Sequence, residues 1–177
     1  MTHAAFCFGR FQPPNLGHAK LFKETQLASP DWFVFTSKSI DNLKNPLPYD
    51  IKLKWLYHLH PSLNGHLIED PTIKTFLEAA SYIYSLGYTS LTFVVGEEDV
   101  SMFPVIGKYN NVKNSHGFYN FNHIRLVVSK SPPGRSSDAR AAVYQNDINK
   151  FMSITGLNGS DALELFLTVK TYLHETI

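Results

Sequence analysis

The sequence has little of what most readily marks out a protein class. It holds one cysteine, Cys7, in 177 residues, so no internal disulfide can form, and a reducing cytoplasm is the expected setting. Cys7 lies in an apolar run and reads as a small buried hydrophobe, not a nucleophile. Sixteen Lys and Arg against fifteen Asp and Glu leave a net charge of +1, which argues against a broadly basic nucleic-acid-binding surface; any phosphate site has to be local. No apolar run approaches the roughly eighteen residues that a membrane span requires, so no membrane partner is expected. The opening MTHAAFCFGRF has no basic leader and no cleavage site, so no secretory signal is read. No GxGxxG follows an expected strand, which disfavours a redox dinucleotide-binding domain. His58 and His60 are two apart on an expected helix and face different ways, and His66, His116, His123 and His174 lack spaced partners, so no metal site is read.

What the sequence has is an alternation of apolar strands and amphipathic helices. Residues 4–11 and the DWFVFTSK, GHLIED, SLTFVVGEED and HIRLVVSK segments read as strands. Helical spacing covers about 16–28 and 50–60, and PTIKTFLEAASYIYSLG is the clearest helix, with Pro71 and Thr72 at its start and Gly87 past its end. Further helices follow near 137–144, 146–155 and 161–174. Such alternation predicts an α/β, Rossmann-like parallel sheet flanked by helices. It is read as a single domain over 1–177, with a core of about 4–145 and a C-terminal helical segment of about 146–177. Residues 107–122 read as a loop, either a surface excursion or a lid. The last helix is apolar over more than one stripe; packing within the chain is the favoured reading, and packing on a second subunit the alternative.

The strand-to-helix seam GRFQPPNLGH, residues 9–18, is the first candidate site. A helix start offers N–H donors and a positive dipole end, which together suit an anion. Gly17 would let a phosphate approach the backbone, His18 could donate to it, and Arg10 could add a planar fork of donors. Ligands of such sheets bind beyond the carboxyl ends of the strands. GRFQPPNLGH, VVGEED and SPPGRSSD all fall there, so they are expected to converge.

The whole string is more specific than its parts. GRFQP followed by GH resembles the first loop of the nucleotidyltransferase superfamily of the HxGH type, GRFQPFHxGH, and seven of the ten positions agree. NPLPYDIKLKWL resembles that family's Asn-Pro-Leu segment and basic helix. VVGEED stands where members read VVGSDR, and GRSSDAR, residues 134–140, where they read Ile-Ser-x-Thr-x-x-Arg. The resemblance implies transfer of AMP or CMP from ATP or CTP to a small phosphate-bearing acceptor such as nicotinamide mononucleotide, with release of pyrophosphate. Magnesium would be held mainly by the triphosphate. By matching positions, His18, Asn15 and Arg140 would carry the catalytic role, His18 at the α-phosphate and Arg140 with Ser137 at the β- and γ-phosphates. Arg10 would hold the phosphate chain and Gly96 would pass under the nucleoside, with Gly9, Phe11, Gly17, Arg135 and Ser136 completing the nucleotide-binding set. Divergent small members of this kind also occur in bacteriophages, which would place the protein in a host cytoplasm.

Three departures qualify the resemblance. Asn15 occupies the place of the first histidine and can donate but never carry charge; restoring histidine there is expected to raise turnover. Glu98 and Asp99 reverse charge in the VVGEED loop. Arg135 replaces a serine and would add a cation near the triphosphate. The alternative reading is a weak or inactive member that binds nucleotide or acts as an interaction module. Lys52 and Lys54 read as a solvated helix face, with the acceptor's phosphate as the competing role.

Overall fold

The computed structural model describes residues 2–130 and 135–174. Residues 131–134, the SPPG of the expected turn after the last strand, lie outside the described residues, as does Gly134 of the GRSSDAR motif. The elements run β1 (His3–Gly9), α1 (Gly17–Ala28), β2 (Trp32–Thr36), α2 (Tyr49–Leu59), α3 (Phe76–Ser85), β3 (Ser90–Gly96), α4 (Met102–Lys108), β4 (His123–Ser129), α5 (Ser136–Tyr144), α6 (Ile148–Thr155) and α7 (Gly159–His174). The fold is α/β and Rossmann-like. Among the described residues no helix is long and apolar enough to cross a membrane.

The chain divides into two compact units that interleave in sequence. The first comprises residues 1–9, 20–37 and 65–130. Its four strands are all parallel, in the order β2-β1-β3-β4. β1 and β3 are buried almost throughout, which is why AAFCF and LTFVV are continuously apolar instead of alternating. Phe6 stacks on Phe93 at 4.5 Å between ring centroids and meets Phe35 edge-on at 5.9 Å, fixing three strands around one aromatic centre. Cys7 is fully buried, and burial pushes its thiol up to about 12. It is inert packing, as its apolar surroundings predict.

The strand order reverses at β1. β1 pairs with β3 only from His3–Ser90 to Phe6–Phe93, whereas β1 continues with β2 to Gly9–Thr36 and β3 with β4 to Gly96–Ser129. β1 and β3 therefore part at their carboxyl ends, the kind of switch point where open parallel sheets take ligands.

Three expectations for this unit need correction. GHLIED is not a strand. Only Leu67 bridges Val34, through Val34 N–H to His66 O and Ile68 N–H to Val34 O, both 2.9 Å, before the Asp70 carboxylate takes the Thr72 N–H and hydroxyl and turns the chain. That same turn delays the helix: α3 starts at Phe76, not Pro71, where Thr75 caps Glu78 N–H at 3.1 Å and the Glu78 carboxylate accepts from Lys74 N–H and the Thr75 hydroxyl. Finally, 107–122 is a loop, as read, only from Tyr109 onward. Its start belongs to α4, a helix with no counterpart in the sequence reading. Tyr119 is fully buried with its hydroxyl donating to Ile106 O, and the Asn110 amide accepts from Phe121 N–H and donates to Phe121 O.

The second unit comprises residues 10–19, 38–64 and 131–177. The C-terminal segment thus shares a core with α2 and α5. Leu47, Trp55, Phe151, Leu165, Phe166 and Val169 fill that core, with Ala139, Ala142 and Ala162 letting α5 and α7 approach closely. On α7, Leu163 and Leu167 remain exposed. α6 opens with the Asp147 side chain accepting from Lys150 N–H and closes at Gly156, φ +81°. A Cβ at Gly156 would stand 2.5 Å from Leu16 Cγ. Gly156→Ala therefore combines a left-handed backbone penalty with a clash that the exposed Leu16 side chain can only partly relieve. We expect a loss of about 1–2 kcal/mol in urea unfolding, and an unchanged midpoint would show that this turn relaxes freely.

Candidate functional site

The segment 10–19 of the second unit is held by its own carbonyl groups. Lys52 Nζ on α2 donates to Arg10 O at 2.9 Å, and Arg140 Nη1 on α5 to Gln12 O at 2.7 Å. Pro13 O accepts from the Ser136 hydroxyl at 2.9 Å and from Asn15 Nδ2 at 3.2 Å. Asn15 O accepts from His60 Nε2 at 3.1 Å; a carbonyl cannot donate, so this nitrogen carries the proton. Four peptide dipoles thus have their negative ends covered by donors of the protein, two of them formally cationic, which lowers the repulsion that an anion beside the segment would meet. The Gln12 amide braces it further, donating to Leu47 O at 3.0 Å and accepting from Leu47 N–H at 2.7 Å. Phe11, buried, takes a φ of 50°, a strained conformation for a bulky residue that this surrounding lattice of bonds maintains.

His18 lies at the start of α1, packed edge-on against Phe11 at 4.8 Å. Asn15 N–H donates to His18 Nδ1 at 3.1 Å. Burial first, and His60 second, push the His18 pKa down to about 3. The ring is therefore neutral at physiological pH, with Nδ1 an acceptor and the proton on Nε2. His18 is a fixed, uncharged Nε2–H donor.

Asn15 was expected to present a donor to phosphate. It is 1% exposed, and its side chain is engaged inside the protein. Oδ1 accepts from Gly17 N–H at 2.9 Å and Nδ2 reaches Ser136 Oγ at 3.0 Å as well as Pro13 O. It is the cap of α1. The N–H groups at the start of that helix are likewise occupied: Gly17 by Asn15 Oδ1, His18 by Asn15 O at 3.2 Å and Ala19 by Leu16 O at 3.0 Å. The Gly17 N–H expected to face an anion is thus bonded within the chain, to Asn15 Oδ1.

Several side chains of this unit are basic. Arg10 is exposed and close enough to Arg140 to lower its pKa, after burial, with Asp41 opposing. Lys52 is 1% exposed, and burial, then Lys38, push its pKa down to about 7. Lys38 Nζ itself sits 4.3 Å over the Tyr49 ring. The reading of Lys52 as a solvated face is thus overturned, because α2 turns this residue inward to the Arg10 carbonyl. Lys54 does lie on the solvated face, paired with Glu164 at 2.8 Å and with more than half of each side chain exposed. Ser137 is exposed in the first turn of α5, and Arg135 N–H is capped by the Asp138 carboxylate at 3.0 Å.

Arg10, Phe11, Asn15, Gly17, His18, Arg135, Ser136, Ser137 and Arg140 all belong to the second unit. Gly9 and Gly96 end β1 and β3 in the first, where Glu97–Asp99 form an exposed 3-10 turn. Gln12, Lys52 and His60 are the positions whose role the sequence conceals. Gln12 stood inside the quoted motif, but nothing in a pattern of residue types shows which side chain reaches a carbonyl thirty or more positions away.

No protein-family model and no curated protein matches the sequence. Solved structures do. One, described as "a Putative Nicotinate-nucleotide Adenylyltransferase from Vibrio parahaemolyticus", superposes with a TM-score of 0.57 at 20% identity, covering 98% of this chain and 97% of that one. The chain shares its fold with that structure. The likeness extends over nearly the whole chain, the C-terminal helices α6 and α7 included.

Proposed function

We propose that this protein is a nucleotidyltransferase that moves AMP or CMP from a nucleoside triphosphate to a small phosphate-bearing acceptor. The observation that carries the reading is His18, an immobilised neutral Nε2–H donor in the same unit as Arg10, Lys38, Lys52 and Arg140. Nucleotidyl transfer needs charge developing on the α-phosphate to be stabilised and two substrates to be held in line; it needs no covalent intermediate. A neutral imidazole supplies a directed hydrogen bond without pulling the triphosphate into an over-stable ground state, while the cations hold the phosphate chain. Ser137, in the first turn of α5, would add a hydroxyl. Magnesium enters this proposal as the triphosphate's own counter-ion.

Asn15 supports a second reading. Its side chain is committed to internal bonds, so one donor expected at the phosphates is missing. A missing donor in a preorganised site costs about 10²- to 10³-fold in rate, which leaves a slow enzyme or a nucleotide-binding module. Calorimetric titration with ATP and CTP in the presence of magnesium tests both readings. We expect one nucleotide to bind, and His18→Ala to weaken it at least about tenfold. No binding of either would end both. Where binding is found, pyrophosphate release across a panel of acceptors separates enzyme from module.

A further inference from the structure

His60 ends α2 and is 6% exposed. Its backbone is fixed there, the N–H donating to Leu56 O at 2.9 Å and the carbonyl accepting from Leu63 N–H at 3.0 Å. From that anchor the ring donates through Nε2 to Asn15 O at 3.1 Å, forty-five positions away in sequence and within the same unit. Asn15 O also accepts from His18 N–H at 3.2 Å, while Asn15 N–H donates to His18 Nδ1 at 3.1 Å. Both backbone polar groups of Asn15 are therefore committed to His18, one to its main chain and one to its ring. His60 is the further donor that fixes the direction of the shared carbonyl. The Asn15 side chain does not duplicate it, because its bonds to Gly17 N–H, Pro13 O and Ser136 Oγ fix the amide and not the carbonyl.

The carbonyl and the N–H of Asn15 lie on adjoining rigid peptide planes that meet at one Cα, so a swing of the first displaces the second. That second group decides what His18 is. With an N–H aimed at it, Nδ1 stays an acceptor and the proton stays on Nε2; without one, a neutral imidazole divides between its two tautomers. We propose that His60 is a positioning residue, acting through the backbone of Asn15 to hold His18 as an Nε2–H donor toward the nucleotide. For its ligand this rests on the nucleotidyltransferase reading; for the tautomer it does not. The role needs only a donor at Nε2, which the neutral ring and the imidazolium both supply. An uncharged N–H of similar reach should therefore replace it, and a glutamine amide brings one to about the same place.

The test is proton–nitrogen correlation NMR of the His18 ring, assigned through His18→Gln, in wild type, His60→Gln and His60→Met. ATP and CTP are titrated calorimetrically into each with magnesium present. Should His60→Met fail to fold, His60→Asn, whose shorter amide falls short of Asn15 O, serves as the variant without a donor. Wild type and His60→Gln are expected to show His18 as the Nε2–H tautomer alone, and to bind the favoured nucleotide within about threefold of each other. The variant without a donor should show both tautomers and bind at least about tenfold more weakly. A purely structural role would leave the tautomer unmoved, or weaken His60→Gln as much as the other variant, and either result would overturn the assignment. Mixed tautomers in wild type, or a changed tautomer with full affinity, would overturn it as well. Failure of wild type to bind either nucleotide refutes the nucleotidyltransferase reading and with it the ligand, whereas an unmoved tautomer refutes this inference and leaves that reading standing.

Discussion

Asn15→His is expected to destabilise the protein by about 2–4 kcal/mol and to leave any turnover no higher than wild type. The resemblance alone predicts the reverse, since histidine is what the motif carries at this place. The structure supplies the reason for the change. Asn15 accepts from Gly17 N–H and donates to Pro13 O and Ser136 Oγ with one planar amide in a space that leaves it 1% exposed. Imidazole is larger, carries a single proton when neutral, and cannot place an acceptor on Gly17 and donors on two other oxygens together. Losing the cap costs about 1 kcal/mol, and each partner left buried and unsatisfied a further 1–3 kcal/mol. For a chain of this size each kcal/mol moves the melting temperature about 2–4 °C. Differential scanning fluorimetry should therefore show a fall of about 4–16 °C. A variant as stable as wild type and faster would mean that the site still has room for an imidazole, and that Asn15 is a recent loss instead of a rebuilt cap.

That contrast shows what sequence reasoning reaches and where it stops. Strands β1 and β3 are legible because burial on both faces makes them continuously apolar, and α1 and α5 because the loops before them carry recognisable punctuation. The motif places His18, Arg10 and Arg140 in one group, and the second unit does hold all three. What a string of residue types does not contain is hydrogen-bond direction. Lys52 and Lys54 have the same chemistry two positions apart on α2, yet one is buried against Arg10 O and the other pairs with Glu164 at the surface. The helix turns about 200° over two residues, so only the placement of the core at Trp55 and Leu56 decides which lysine goes inward. His60 is similar: spacing shows that it is no metal ligand, but only the fold shows it reaching Asn15 O.

Lys52 also gives the protein an unusual dependence of stability on pH. Its pKa falls from 10.5 in the unfolded chain to about 7 in the folded one, through burial and then Lys38. Between those values the unfolded chain holds a proton that the folded chain has released, so stability rises with pH across that window and is level with respect to this group below it. From pH 7 to 8.5 the gain should be on the order of 1–2 kcal/mol. The window is well isolated. His3, His18 and His60 are lowered from 6.5, so their rising contribution is largely complete by pH 7. Cys7 is raised from 9.0 to about 12 and acts in the opposite sense, lowering stability only above about pH 9. Urea midpoints measured from pH 7 to 8.5 should therefore climb in wild type and stay flat in Lys52→Met. A flat wild-type profile would show that Lys52 keeps its charge, with the Arg10 carbonyl and its other surroundings offsetting burial. The same titration bears on function. A bound triphosphate would favour the charged ammonium and draw a proton onto Lys52, so nucleotide binding at pH 8 should take up protons in wild type, read as a dependence of the binding enthalpy on buffer ionisation, and take up none at this position in Lys52→Met.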